Sequence, residues 1–358
     1  MTFAIAAAGT GGHVYPGLAV GEALLEMGAA RDDILFVGGE RLEAAVYPQA
    51  GFPFLSLELR GLERRLALSN LGIPGVVLRA ERRTRLELRR RGVDVVLAMG
   101  GYVTVPVGLA ARRAGASLAV AEQNAEAGLA NRLMSRLARR VFGSFPSTGG
   151  LPRAEWMGNP IRRALADFDR DRLRPPARAE WGLEEAAPVV GVFGGSLGAG
   201  AINQAVIAML ESWGGPRIQV LHLAGHGYDE ASARARVSPH NWVVLDFCEH
   251  MDRFYAACDI VISRAGGSVA ELTATATPAV LVPGGFGSGG HQEANAAVLE
   301  AAGCAVVVSE AELERLEEEV TALVANPARR REMAAAASRL ARPHAARDIA
   351  TALREMSG

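Results

Sequence analysis

At 358 residues the chain is about twice the ordinary single-domain length, so two domains are the prior. Hydrophobic residues at 49% and charged residues at 22% exclude a disordered or fibrous protein. The net charge of −1, carried with Arg alone and no Lys, argues against a general nucleic-acid binder, and three scattered cysteines (Cys248, Cys258, Cys304) exclude a disulfide framework or a Cys-based zinc site and fit a reducing cytoplasm.

The opening Met1–Ala8 is apolar, lacks a basic leader and runs straight into Gly9-Thr10-Gly11-Gly12, so it reads as a buried strand, not a signal peptide. Further strands are predicted at Ile34–Val37, Phe54–Leu57, Val93–Ala98 and Leu118–Ala121, after a first one at Phe3–Ala7. Leu18–Met27 has helical apolar spacing and ends on Gly28 as a C-terminal cap. Val95–Ala111 is interrupted by Gly100-Gly101 and Pro106, which fits a strand, turn and helix better than a membrane span. Asp167–Pro176, rich in Arg, Asp and Pro, reads as a solvated domain linker; its Asp167-Phe168-Asp169 lacks the preceding apolar strand that a metal-binding acidic motif needs. The second half predicts strands at Val189–Phe193, Ile218–Leu223, Trp242–Phe247, Ile260–Ser263, Ala279–Val282 and Ala305–Val308.

Strands alternating with helical patterns imply parallel sheets with crossover helices. The halves also resemble each other. Asp94-Val95-Val96-Leu97 leads to Gly100-Gly101, as Asp259-Ile260-Val261-Ile262 leads to Gly266-Gly267. Two doubly wound, Rossmann-like parallel-sheet α/β domains facing each other across a cleft are therefore expected, because ligands bind beyond the carboxyl ends of such strands. The domains are set at 1–162 and 163–332, with a tail at 333–358. Charge divides unevenly, with 19 Arg against 14 acids in residues 1–160 and 19 against 25 in the remainder.

Glycine after a strand lets backbone amides approach phosphate oxygens at a helix N-terminus. Gly9–His13 fails the dinucleotide fingerprint, since Val14 stands where the third glycine is needed, which disfavours an oxidoreductase. Gly194–Gly200 has no Lys-Ser/Thr ending and is not a Walker loop. His222 and His226 are four apart, but Gly225 and Gly227 spoil a helical metal pair. His13 is the best candidate general base, because an imidazole titrating near 6.5 suits proton transfer at neutrality. Helix capping or phosphate orientation remains its alternative role.

The combination of motifs is more specific than any one of them. It comprises Gly9-Thr10-Gly11-Gly12-His13 with Tyr15-Pro16-Gly17-Leu18-Ala19; Met99-Gly100-Gly101-Tyr102; and Glu122-Gln123-Asn124 followed by Ala127–Asn131. It continues through Gly158-Asn159-Pro160-Ile161-Arg162, Gly194–Ala199, Ser263–Ser268 with Glu271, and His291-Gln292 with Asn295. In this order, over nearly the whole chain, the set resembles the lipid II synthases of glycosyltransferase family 28, which have the GT-B fold.

The resemblance implies inverting transfer of N-acetylglucosamine from UDP-GlcNAc to the C4 hydroxyl of the muramyl sugar of lipid I, giving a β-1,4 linkage and UDP. It implies no cofactor and no metal, so backbone amides, hydroxyls and Arg must meet the diphosphate charge. Carried over by residue, the implied roles are Ser196 and its loop on the phosphates with Arg162 nearby, and Glu271 on the ribose hydroxyls. Gly266, Gly267, Ser268, Val269 and Ala270 would approach the sugar and diphosphate, Cys248 the uracil through its backbone, and Gln292 the GlcNAc hydroxyls. Asn124 would reach the donor sugar, Thr10, Gly11 and Gly12 of the loop that carries His13 would bind substrate, and Glu122 is the rival base or the holder of the acceptor loop. The last helix, about 333–356, would pack back onto the first domain.

A lipid-linked acceptor further implies a peripheral protein on the cytoplasmic face of the cell membrane, with other cell-wall enzymes as plausible partners. From Arg60 to Arg91 there are ten Arg against three acids, with Leu66, Leu68, Leu71, Ile73, Val76, Val77 and Leu78 among them. Such a segment attracts an anionic lipid surface. Three departures from the family stand out: Leu197 in place of a frequent Gln, the Gly284–Gly290 loop before His291, and a near-neutral chain that places more weight on the local Arg cluster. The alternatives are another GT-B enzyme acting on a membrane lipid, a UDP-GlcNAc 2-epimerase, and a nucleotide-sugar sensor without turnover.

Overall fold

The computed structural model describes residues 1–59, 73–195, 198–236, 238–284 and 290–357. It divides into two compact units, Met1–Arg162 with Pro343–Gly358, and Arg163–Arg342.

The first unit runs β1 (Phe3–Ala6), α1 (Gly11–Glu26), β2 (Ile34–Gly38), α2 (Leu42–Gln49), β3 (Phe54–Ser56), α3 (Ile73–Arg91), β4 (Val95–Ala98), α4 (Thr104–Ala114), β5 (Ser117–Glu122), α5 (Leu129–Ser135), β6 (Arg140–Gly143) and β7 (Glu155–Trp156). Its strands pair in the order β3-β2-β1-β4-β5-β6-β7, all parallel, with Phe3 opposite both Ile34 and Val95. The strands are apolar almost throughout because both faces are covered. From β1, Phe3 and Ile5 enter the core under α1, while Ala4 and Ala6 enter the opposite core with Val96, Val107 and Val120.

The second unit runs α6 (Arg163–Ala166), α7 (Arg170–Glu180), β8 (Val189–Phe193), α8 (Gly200–Ser212), β9 (Gln219–Leu223), α9 (Asp229–Ala235), β10 (Asn241–Leu245), α10 (Met251–Ala257), β11 (Ile260–Ser263), α11 (Ser268–Ala274), β12 (Ala279–Leu281), α12 (His291–Ala301), β13 (Ala305–Val307), α13 (Leu316–Ala325) and α14 (Pro327–Leu340). The strands pair β10-β9-β8-β11-β12-β13, again all parallel. In each sheet the order reverses beside the unit's first strand, between β1 and β4 and between β8 and β11. Ligand sites form at such a reversal, where neighbouring loops part.

Four expectations change. First, α1 begins at Gly11, not at Leu18, with His13 and Val14 amides donating to Thr10 O at 3.0 and 3.1 Å. The glycines and Pro16 that signal a turn lie inside its opening turns. Second, β6 and β7 were not predicted, being only four and two residues long; Arg140 pairs across them with Glu155 at 2.5 Å. Third, Asp167–Pro176 is no linker, because most of it is α7, capped by the Asp169 carboxylate accepting from Arg172 N. Arg170, Arg174 and Arg178 are drawn inward by carbonyl groups and Asp259, while Arg172 stays in solvent.

Fourth, the tail is two helices, and 333–342 belongs to the second unit. Met333 is buried in that unit's core, and Ala341 turns extended just before Arg342-Pro343, where proline disfavours helix. The chain then returns as α15 (Ala345–Glu355), which buries Ile349, Ala350, Ala352 and Leu353 in the first unit's core. Arg139 fastens its end by donating to Met356 O at 3.0 Å.

Candidate functional site

In the first unit the loops after β1, β4 and β5 carry the expected residues. Gly100 and Gly101 have φ of +95° and +78°, and a Cβ on Gly101 would lie 2.6 Å from Ala8 O, so the loops after β1 and β4 lie back to back. A Cβ on Gly100 would lie 2.9 Å from His13 Nε2 and 3.4 Å from Asn131 Nδ2. Glycine there lets the β4 loop sit directly against the imidazole. His13 Nδ1 is 3.3 Å from Thr10 Oγ1. With Nδ1–H donating to that hydroxyl, Nε2 carries the basic lone pair.

Two buried carboxylates hold this arrangement. Glu122, 3% exposed at the end of β5, accepts from Asn124 N (3.0 Å), Asn124 Nδ2 (2.9 Å), Gly128 N (3.1 Å) and Asn131 Nδ2 (2.8 Å). A carboxylate offers about four lone-pair sites, so the geometry favours the holding role for Glu122 over that of a base. Glu43, fully buried on α2, accepts from Gly39 N (2.9 Å), Gly9 N (3.3 Å) and the Tyr102 hydroxyl (3.0 Å). Burial, with the negative charge of Glu43 beside it, pushes the Tyr102 phenol up to about 12. Glu43 went unnoticed in the sequence, where an isolated acid in a helix carries no signal, as did Gly39; its partners Gly9 and Tyr102 stood in the motifs. Arg162 lies with its guanidinium 5.0 Å from the Tyr15 ring.

In the second unit Gly194 has no room for a side chain, since a Cβ would overlap Ala199, and Gly195 and Gly198 have φ of +96° and +74°. The loop feeds α8, whose first turn carries no acid and whose N-cap Ala199 makes no side-chain bond. Ser196 and Leu197 lie outside the described residues, as do 285–289 of the glycine loop and 60–72 of the basic segment.

After β11, Asn295 Nδ2 donates to Ala265 O at 2.9 Å and Ser268 Oγ to Arg264 O at 3.1 Å, fixing the Gly266-Gly267 turn. Gly266 borders open space. Val269 turns its side chain into the core, and its amide donates back to Gly266 O at 3.2 Å. Ala270 stands half-buried beside it. Glu271, in the first turn of α11, accepts from the buried Tyr255 hydroxyl at 2.9 Å. Gln292 Oε1 accepts from Gly284 N at 2.8 Å. The Cys248 thiol points to His250 O at 3.4 Å.

His222 is buried in β9 with Nε2 3.0 Å from Asn203 Oδ1, and burial lowers it to about 4; His226 is exposed, 3.9 Å from Asp246. The two do not form a pair. Among the described residues no three His, Cys, Asp or Glu side chains are grouped to hold a metal ion.

On the surface of the first unit α3 carries Leu78, 60% exposed, and Leu86, 58% exposed, in one helical stripe with Arg82 and Arg90. Its inner face is tied to α4 by Glu81, which meets Arg113 at 3.2 Å. Among the described residues no helix is long and apolar enough to cross a membrane.

The glycosyltransferase family 28 N-terminal domain pattern matches residues 3–143 and the family 28 C-terminal domain pattern residues 189–351. A Halorhodospira halophila protein named UDP-N-acetylglucosamine--N-acetylmuramyl-(pentapeptide) pyrophosphoryl-undecaprenol N-acetylglucosamine transferase is 42% identical over 99% of this chain and 98% of its own. A Salinibacter ruber protein of the same name is 40% identical over 96% and 93%. The crystal structure of Acinetobacter baumannii MurG superposes with a TM-score of 0.80 at 28% identity, covering 99% of this chain and all of that one. The Neisseria meningitidis UDP-GlcNAc 2-epimerase bound to UDP-GlcNAc gives 0.67 at 16% identity over 99% of this chain and 100% of that one, a likeness of fold alone.

Proposed function

The chain belongs to glycosyltransferase family 28, and from that premise we propose that it transfers N-acetylglucosamine from UDP-GlcNAc to the muramyl C4 hydroxyl of lipid I, forming lipid II. The observation that carries this reading is identity of about two residues in five with named transferases over essentially the whole chain. An epimerase shares the fold at far lower identity.

In the step itself the acceptor O4–H bond and the donor C1–O bond to the diphosphate break, and a C1–O4 bond forms with inversion. His13 Nε2 takes the acceptor proton, the developing imidazolium being held by the Thr10 hydroxyl. Glu122 fixes Asn124 and the Gly128–Asn131 turn that borders it, and Glu43 fixes Gly9 and Tyr102. UDP leaves with both bonding electrons. Its negative charge is met by the amides of the Gly194–Gly200 loop with Ser196, by the α8 N-terminus and by Arg162. Glu271 accepts from the ribose hydroxyls, Gln292 orients the GlcNAc, the Gly266–Ala270 turn lines the sugar and diphosphate, and the Cys248 backbone reads the uracil.

The acceptor is embedded in lipid, so the protein works as a peripheral protein on the anionic cytoplasmic face of the membrane. The Leu78–Arg82–Leu86–Arg90 stripe of α3 supports this, each Arg adding about 1 kcal/mol at such a surface. The test is UDP release from UDP-GlcNAc with and without a short-chain soluble lipid I analogue, in EDTA. Acceptor-dependent release with the disaccharide found by mass spectrometry is the expected result. UDP release or epimerised sugar without acceptor would replace this reading with the epimerase.

A further inference from the structure

The side chain expected to bind the ribose does not stand alone. Glu271 is on α11, and the hydroxyl that donates to its Oε2, at 2.9 Å, belongs to Tyr255 on α10. Tyr255 is fully buried, wedged edge-on against Phe193 and Phe254 with ring centroids 6.1 and 5.7 Å away. Its hydroxyl is therefore a fixed point, not a rotating donor.

The two helices are also joined at their C-termini. The half-buried Arg170 guanidinium donates through Nη1 to Tyr255 O and Cys258 O, both at 2.7 Å, where α10 ends. Through Nη2 it donates to Thr275 O at 2.9 Å and Thr277 Oγ1 at 2.7 Å, where α11 ends. One cation thus caps two helices, satisfying carbonyls that would otherwise be orphaned. The helix spacing set by Arg170 determines whether the Tyr255 hydroxyl reaches Glu271. Arg170 comes from the segment whose composition suggested a linker.

We infer that Tyr255 is a positioning residue for donor recognition: by fixing Glu271 Oε2 it aims the carboxylate at the ribose diol, and Arg170 holds Tyr255 at the distance this requires. This rests on the reading of Glu271 as the ribose acceptor. A carboxylate that accepts two vicinal hydroxyls must present its oxygens in one plane, and a third donor fixed in the protein sets that plane before the ligand arrives. Preorganisation of this kind appears in affinity and in discrimination against a missing hydroxyl, not in the rate of the bound complex.

The experiment measures binding of UDP and 2′-deoxy-UDP to the full chain by calorimetry, for the unaltered protein, Tyr255→Phe, Glu271→Gln and the double variant. Tyr255→Phe keeps the ring packing and is expected to bind UDP about tenfold more weakly while its affinity for 2′-deoxy-UDP changes little. Its KM for UDP-GlcNAc rises by the same factor with kcat nearly unchanged, and the double variant discriminates no less than Glu271→Gln alone. Loss of the ribose preference in Glu271→Gln but not in Tyr255→Phe would overturn the inference and leave the Glu271 reading intact. Retention of the preference in Glu271→Gln would sink both. If Tyr255→Phe does not fold, Arg170→Lys carries the same test, since an ammonium group cannot reach all four acceptors; an unchanged preference in that folded variant overturns the link.

Discussion

The two units share a topology and a glycine turn at the point where strand order reverses, yet they fix those turns by opposite means. At the first reversal two buried carboxylates, Glu43 and Glu122, gather amide and hydroxyl donors from the loops after β1, β2, β4 and β5. At the second, carbonyls accept from Asn295 and Ser268, and the glycine loop before α8 is followed by a first turn without acid. Net charge would suggest the reverse, since the carboxylates organise the basic half and the amide-rich turns lie in the acidic half. Site electrostatics are set by the few groups within hydrogen-bonding distance, while the domain's sum of charges is spread over solvated surface and screened. The contrast matches the proposed division of labour, a neutral hydroxyl and its proton on one side and a diphosphate on the other.

The sharpest way to break this contrast is His13→Ala. Turnover with lipid I analogue is expected to fall by about 10²- to 10⁴-fold while UDP-GlcNAc affinity is kept, as read by steady-state kinetics and calorimetry. An equal loss of donor affinity would move His13 from base to binding group. Next in size is Asp259→Asn in the second unit. Asp259 meets Arg178 at 2.7 Å and Arg174 at 2.8 Å and accepts from Val189 N at 2.8 Å. Burial would raise its carboxyl, but the Val189 amide and the two guanidinium groups outweigh this and hold it below the usual range. The amide leaves Arg178, 1% exposed, without its counter-charge, and chemical denaturation is expected to lose about 3 to 5 kcal/mol.

His222 offers a pH test confined to the second unit. Its folded value of about 4 lies below the unfolded 6.5, so the unfolded chain takes the proton first as pH falls. Stability is unaffected above about 6.5 and declines by up to about 3 kcal/mol on the way to pH 4. His222→Gln, which keeps a donor toward Asn203, should flatten that part of the melting-temperature profile; an unchanged slope would show that other groups carry it. Smallest is Glu43→Gln in the first unit. An amide cannot accept from Gly9, Gly39 and Tyr102 while keeping its own hydrogens, and the mismatch costs about 1 to 3 kcal/mol. The expected reading is a kcat reduced about tenfold with donor KM unchanged. A donor KM that rises with it would erase the distinction between the two reversals.

Much of this was legible in the sequence for identifiable reasons. The strands at 189–193 and 260–263 were read to the residue because fully covered parallel strands are uninterrupted apolar runs. The glycines at 9, 100, 101, 195 and 198 stood out because their positive φ or close approach admits little else. His13, Glu122, Asn124 and Glu271 were singled out as candidates because they belong to contiguous motifs. Glu43, Tyr255 and Arg170 were missed because each acts on residues far along the chain. Arg170 lay in a stretch whose Arg, Asp and Pro content resembles solvated linker, and composition does not register that carbonyls from two distant helices converge on one guanidinium.

The sequence by itself determined the class of fold, the two glycine turns, the family and a set of candidate side chains, because these depend on local conformational limits and on short contiguous patterns. Tertiary structure alone decided which of those side chains are held and by what. It bound Glu122 into four hydrogen bonds, set Thr10 behind His13, joined Glu43 to three loops and placed Tyr255 against Glu271. It also assigned 333–342 to the second unit and returned α15 to the first. Each of these is a meeting of groups distant in sequence or a choice of partner among several nearby. Such choices are made when buried polar groups must be satisfied and the apolar faces of the helices must be covered at once.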